Sequence, residues 1–131
     1  MKKILTDAVK NYLESIEAKL EECNTPLDTG FVSKISITGD KQFDIYVILP
    51  KTKLDYVSNL WFGDDNYDIE DLSKEIANLI VGNAKVIAQN QGINFNISTP
   101  EYLGEDIKIE YDDVLNFKFA DNCFHIIFKE K

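Results

Sequence analysis

The sequence predicts an α+β fold, a largely antiparallel sheet packed against long helices, and three observations lead to it. Apolar residues recur at spacings of three and four over residues 3–22 and again over 69–91, the period of an amphipathic helix. They alternate over residues 31–49 and through the C-terminal third, the period of a strand. Short turn signals between the alternating runs favour hairpins, and long helical segments set apart from them favour helices stacked on one sheet face. At 131 residues, with 44% hydrophobic and 28% charged residues, the chain has the size and composition of one ordered domain spanning 1–131.

Leu5, Val9, Tyr12, Ile16 and Leu20 form the apolar stripe of the first helix, and Asn24, Thr25, Pro26 and Thr29-Gly30 end it. Phe31, Ser33, Ile35 and Ile37 then share one strand face, and Phe43, Ile45, Val47 and Leu49 share another, across a Gly39-Asp40 turn. Both rows lie on one side only if residue 37 pairs with 43, so that register is expected, with a three-residue loop. Pro50 closes the hairpin, and residues 52–62 read as a short helix stopped by Gly63, with Trp61-Phe62 as a core anchor. Asp68 is an N-cap, with Asp71 three positions on, for a helix that runs to about Gln91 and stops at Gly92. Ile93, Phe95 and Ile97 make a short strand and residues 105–111 another. Residues 114–129 form a hairpin around Asp121-Asn122, in which Phe119 pairs with Phe124, Phe117 with Ile126 and Leu115 with Phe128. The order also allows a distant duplication, each half a long helix feeding a hairpin, although no residue-level repeat supports it.

The formal net charge of −9 repels nucleic acid phosphates and anionic lipid, leaving a protein or a small ligand as partner. No stretch approaches the roughly 18 apolar residues that would span a bilayer. Asp7, Lys10, Asn11 and Glu14 interrupt the apolar residues of the start, so no signal peptide forms and a cytoplasmic location is expected. Cys23 and Cys123 show no paired spacing and are expected as free thiols, and His125 is the one histidine, which excludes the usual zinc patterns and a histidine-based triad. His125 alternates with Phe124, Ile126 and Phe128, so it belongs to the other sheet face, near Lys118, in a structural or surface role.

The chemistry concentrates on the helix over 69–91. At about 100° per residue, Leu72, Ile76, Leu79, Asn83 and Ile87 gather on one side, the expected buried stripe. Asp71, Glu75, Asn78 and Gly82 fall within a band about 60° wide on its flank, so a carboxylate, a carboxamide and a bare backbone share one exposed row. Asn and Gly inside a helix cost roughly 0.7 and 1 kcal/mol relative to Ala, so Asn78, Gly82 and Asn83 were not chosen for helix stability. Glycine at 82 allows another surface to approach the backbone; it equally allows a neighbouring element of the chain to do so.

Asp71-x-x-x-Glu75-x-x-Asn78-x-x-x-Gly82 followed by Asn94-Phe95-Asn96-Ile97-Ser98-Thr99-Pro100 resembles the CheX family of chemotaxis phosphatases, relatives of CheC and FliY. That family carries an acid or serine, a glutamate and an asparagine on one helix and a proline about 22 positions after the asparagine; Pro100 lies 22 residues after Asn78. The likeness extends over the whole chain in element order and is most specific over residues 71–104. It departs in one respect, since the helix over 3–22 has no Glu-x-x-Asn, which implies the compact single-site type.

The resemblance implies a CheC/CheX-like fold and hydrolysis of the aspartyl phosphate of a CheY-type response regulator. It implies that Glu75 and Asn78 are the catalytic residues and that Asp71 and Gly82 assist docking. An acyl phosphate is labile and its Mg2+ is held by the regulator, so no metal or cofactor of the chain's own is implied. Asn78 would orient the attacking water, its oxygen accepting from the water and its NH2 group directed at a phosphoryl oxygen. Glu75 would dock on the regulator's lysine. A homodimer joined through the sheet is a further implication. The alternative of another class is a noncatalytic module that binds a regulator or another signalling protein.

Residues 64–75 also place Asp64, Asn66, Asp68, Glu70 and Glu75 at positions of a calcium-loop pattern. Ile69 stands where the loop's sharp turn needs glycine and Asp71 where an apolar residue packs, which argues for an acidic helix start instead.

Overall fold

The computed structural model describes residues 2–23, 30–120 and 122–130. In order these form α1 (Lys2–Ser15), β1 (Glu21–Glu22), β2 (Phe31–Gly39), β3 (Phe43–Leu49), α2 (Lys51–Phe62), α3 (Ile69–Asn90), β4 (Phe95–Ile97), β5 (Glu101–Glu105), β6 (Asp113–Phe119) and β7 (Asn122–Glu130). The strands make one seven-stranded sheet in the order β1-β6-β7-β3-β2-β4, with β5 also paired to β2. All its pairings are antiparallel.

One face carries Ile35, Ile37, Ile45, Val47, Phe117, Phe119, Phe124 and Ile126, all buried against apolar residues of α1, α2 and α3. The other face carries a small cluster, Val32, Ile48 and Ile127, with Tyr46, Leu103, Ile109 and Val114 packed around it. His125 lies on this second face, buried, with Nδ1 2.6 Å from Oδ1 of its cross-strand neighbour Asn116.

The β2–β3 register is the expected one, Ile37 opposite Phe43 and Ile35 opposite Ile45. The β6–β7 register is not. Phe117 faces Phe124, Leu115 faces Ile126 and Phe119 faces Asn122, a shift of two residues from the expected pairs. A shift of two keeps every side chain on its face, so the aromatic set stays in the core and the sequence pattern alone does not separate the two registers. Stacking of Phe117 on Phe124, with ring centroids 5.3 Å apart, and the edge contact of Phe119 with Phe124 favour the observed one.

The first helix is shorter than expected. Glu17 takes φ 57, and the bonds from Glu17 N to Glu14 O and from Ala18 N to Leu13 O close a Schellman stop built without glycine. The chain then enters β1 against β6. Residues 24–29, expected as the end of that helix, lie outside the described residues, as does Asp121 of the β6–β7 turn.

The strand expected at 105–111 lies earlier, at 101–105. Asp106, at φ 57 and donating its N–H to Gly30 O, turns the chain out of the sheet. The alternation of Ile107, Ile109 and Tyr111 imitates a strand, but Ile107 and Tyr111 are exposed and Ile109 alone of the three joins the second cluster.

Cys23 and Cys123 are not free thiols: β1 returns the chain to the β6–β7 hairpin, and a disulfide joins them across 100 residues of sequence at a Cα separation of 5.8 Å. Cysteine usage therefore lends no support to a reducing compartment.

Exchanging β1 with β4, β2 with β6 and β3 with β7 reverses the strand order and leaves it otherwise unchanged, while α1 and α3 pack side by side beneath. This is the topology of the duplication that the element order allowed. No described helix is long and apolar enough to cross a membrane.

Candidate functional site

Asp68 is the N-cap of α3, extended at φ −84 and ψ 121, and its carboxylate accepts from the Asp71 N–H at 3.0 Å. Glu70 and Asp71 add negative charge to the first turn, where the helix dipole favours it. At the other end Gly92 takes φ 78 while Ile93 N donates to Ala88 O, the expected left-handed stop.

The buried side of α3 is made of Leu72, Ser73, Ile76, Ala77, Ile80, Val81, Ala84 and Ala88; Leu79, Asn83 and Ile87 are half-buried at its margin. It is rotated from the expected stripe because Ser73, Ala77, Ala84 and Ala88 let neighbouring elements come close, and small residues register weakly in a hydrophobic pattern. At about 100° per residue, the row Asp71, Glu75, Asn78 and Gly82 lies roughly opposite the buried centre, on the outward crest of the helix and not on its flank. Asn83 spends its amide on Leu79 O at 2.9 Å.

Asp71, Glu75 and Asn78 are exposed, and among the described residues no hydrogen bond or ion pair engages their side chains. Together with Lys74, Thr99 and Pro100 they line a cleft of about 410 Å³. The Thr99-Pro100 wall is held in place by β2, since Ser98 N donates to Ser36 O and Ser36 N donates to Ser98 Oγ, both at 2.9 Å. Gly82 sits one turn further along the crest, outside this cleft.

Lys74 is the site residue that the sequence reading missed. It stands four positions before Asn78, hence on nearly the same face, and that spacing was the available signal. Its Nζ lies 3.5 Å from Glu70, a half-open i,i+4 pair.

Asp71 and Glu75 also wall a second cleft, of about 440 Å³, on the side of α2, with Trp61, Phe62, Tyr67 and Asp68 among its other walls. The expected core anchor Trp61-Phe62 is therefore not core: Trp61 is 37% exposed and Phe62 60%. The buried face of α2 ends with Val57 and Ser58, and Gly63 at φ 78 terminates the helix as its last turn passes the edge of the core.

Tyr67 is fixed in this cleft by donating to Asp55 Oδ1 at 2.7 Å. That bond, with Lys51 beside it, holds the Asp55 carboxyl below its usual range. Because the folded-state value is depressed, the contribution is present above the ordinary aspartate range and lost as pH falls through the folded value. Tyr67→Phe is accordingly expected to cost about 1 kcal/mol at neutral pH, with the difference from wild type shrinking in acid; urea unfolding at pH 7 and pH 3 measures it.

The calcium-loop arrangement is not formed. Asp68 caps the helix, Asp64 accepts from Asn66 N at 3.0 Å, and among the described residues no group of three or more His, Cys, Asp or Glu side chains is placed to hold a metal ion.

Residues 31–128 match the family model described as chemotaxis phosphatase CheX. A comparison with curated proteins gives no match. Among solved structures, the chemotaxis protein CheX of Desulfovibrio desulfuricans superposes with a TM-score of 0.76 at 25% identity, covering 98% of this chain and 97% of that one. CheX of Vibrio vulnificus gives 0.72 at 20% identity, covering 96% and 97%. The CheX–CheY–BeF3–Mg2+ complex of Borrelia burgdorferi gives 0.72 at 17% identity, covering 98% and 97%. The family match spans most of the chain and the sheet and helices agree with it from end to end, so the chain belongs to the CheX family of chemotaxis phosphatases.

Proposed function

We propose that the chain hydrolyses the aspartyl phosphate of a CheY-type response regulator, with Asn78 orienting the attacking water and Glu75 docking on a lysine of the regulator. The observation that carries the reading is the convergence on one outward crest of a carboxylate and a carboxamide, both exposed and unengaged, beside the Thr99-Pro100 wall. A helix crest is the shape that can enter another protein's active-site groove, and there the amide can accept from water while donating to a phosphoryl oxygen. Glu75, three residues earlier on the same crest, meets the partner's cation with a charge-assisted bond. Mg2+ would be supplied by the regulator, whose phosphoaspartate it neutralises; Asp71 would add a second docking contact. Lys74, in the same cleft, tempers the repulsion between an acidic surface and an incoming phosphoryl group. A CheX of known structure bound to CheY supports the choice of partner.

The test is incubation with a panel of phosphorylated receiver domains in Mg2+, following loss of phosphate. Accelerated loss from at least one supports the reading. Binding without acceleration would replace it with a noncatalytic docking module.

Gly82 extends the crest beyond the cleft, and a Cβ built there meets no heavy atom within 4 Å beyond its chain neighbours and the helix's own backbone. Gly82→Ala is therefore expected to stabilise the protein by about 1 kcal/mol, read from urea unfolding, while weakening partner binding. A stabilised variant with unchanged partner affinity removes the docking role.

A further inference from the structure

Three consecutive large apolar side chains stand exposed at the end of α2, Leu60 at 47%, Trp61 at 37% and Phe62 at 60%. Contiguous exposed apolar surface of this kind marks an interaction site more often than isolated residues do. Two of the three, Trp61 and Phe62, line the cleft of about 440 Å³ that Asp68, Asp71 and Glu75 also line. The Asp71 and Glu75 carboxylates have no partner among the described residues, and Asp68 Oδ1 is occupied by its capping bond. Aromatic rings alone would take any apolar group, and carboxylates alone any cation. Their combination selects a long apolar stem that ends in a cation.

We infer that this cleft seats an arginine side chain of the partner protein, its stem against Phe62 and its guanidinium stacked on Trp61 and paired with the Asp71 carboxylate. Arginine is favoured over lysine because a planar guanidinium stacks on a ring face and presents several N–H donors at once, so it can lie on Trp61 and pair with both oxygens of Asp71 while Glu75 stays with the regulator's lysine. The chain's net charge of −9 draws basic surfaces toward it. The cleft shares Asp71 and Glu75 with the phosphatase crest, so a partner seated on one reaches the other, and the choice of a response regulator as that partner rests on the function proposed above.

Trp61 is the one tryptophan of the chain, so its fluorescence reports the cleft directly. The first measurement is independent of any phosphatase activity: titration with the peptide acetyl-Gly-Arg-Gly-amide and with its citrulline and leucine counterparts. A saturable change with the arginine peptide, several-fold weaker with citrulline, is expected; equal responses to all three overturn the inference. The second measures affinity of Trp61→Ala for the receiver domain that wild type dephosphorylates best, with a rise in Kd of about tenfold and unchanged kcat expected. Unchanged Kd overturns the partner-docking role even if the peptide binds. Failure of wild type to hydrolyse or bind any receiver removes the regulator as partner, while the peptide titration decides the arginine site by itself.

Discussion

Asn78→Ala is expected to slow dephosphorylation of the best receiver partner by about 10²-fold or more while leaving affinity for the phosphorylated regulator nearly unchanged. The alanine keeps the helix, and raises its propensity slightly, but removes the group assigned to hold water in line with the phosphorus. Because Asn78 is exposed, nothing in the core is disturbed and unfolding by urea should show no loss of stability. Single-turnover loss of phosphate, with binding measured separately, distinguishes the two quantities. A wild-type rate in this variant would remove the catalytic assignment and leave a docking module.

Glu75→Gln is expected to act on the other quantity. The substitution preserves shape and deletes the charge proposed to meet a lysine of the regulator, so affinity should fall by about 1 to 3 kcal/mol, with turnover falling in step at subsaturating partner. Raising ionic strength should narrow the gap between the variant and wild type, because the missing term is electrostatic. A variant that binds as tightly as wild type but hydrolyses slowly would move Glu75 from docking to the chemical step.

The crest was legible in the sequence because Asp71, Glu75, Asn78 and Gly82 are spaced at helical period and Asp68 and Gly92 mark the ends of their helix. Its orientation was misread, since Ala77, Ala84 and Ala88 make a buried face out of residues that pattern reading treats as neutral. The β2–β3 register followed from matching two apolar rows, whereas the β6–β7 register did not, because both candidates fill the core face equally. The stop at Glu17 was invisible, as its left-handed conformation lacks the glycine that usually announces it. Trp61 and Phe62, expected as a core anchor before Gly63, are exposed because burial of an aromatic at a helix end depends on how far the sheet beneath it extends, a tertiary fact.

The exchange of edge strands between the two halves bears on how the molecule folds. β1, which follows α1, is hydrogen-bonded to β6 of the other half, and β4, which follows α3, is hydrogen-bonded to β2 of the first. Neither half can complete its own hairpin edge, so neither is an independent cooperative unit. Much of the sheet therefore has to form across long sequence separations, with the loop-closure entropy met before the pairings reward it, which predicts slow folding and a single unfolding transition. Native-state hydrogen exchange should show the central β3 and β7 amides opening together with the whole molecule, not with either half.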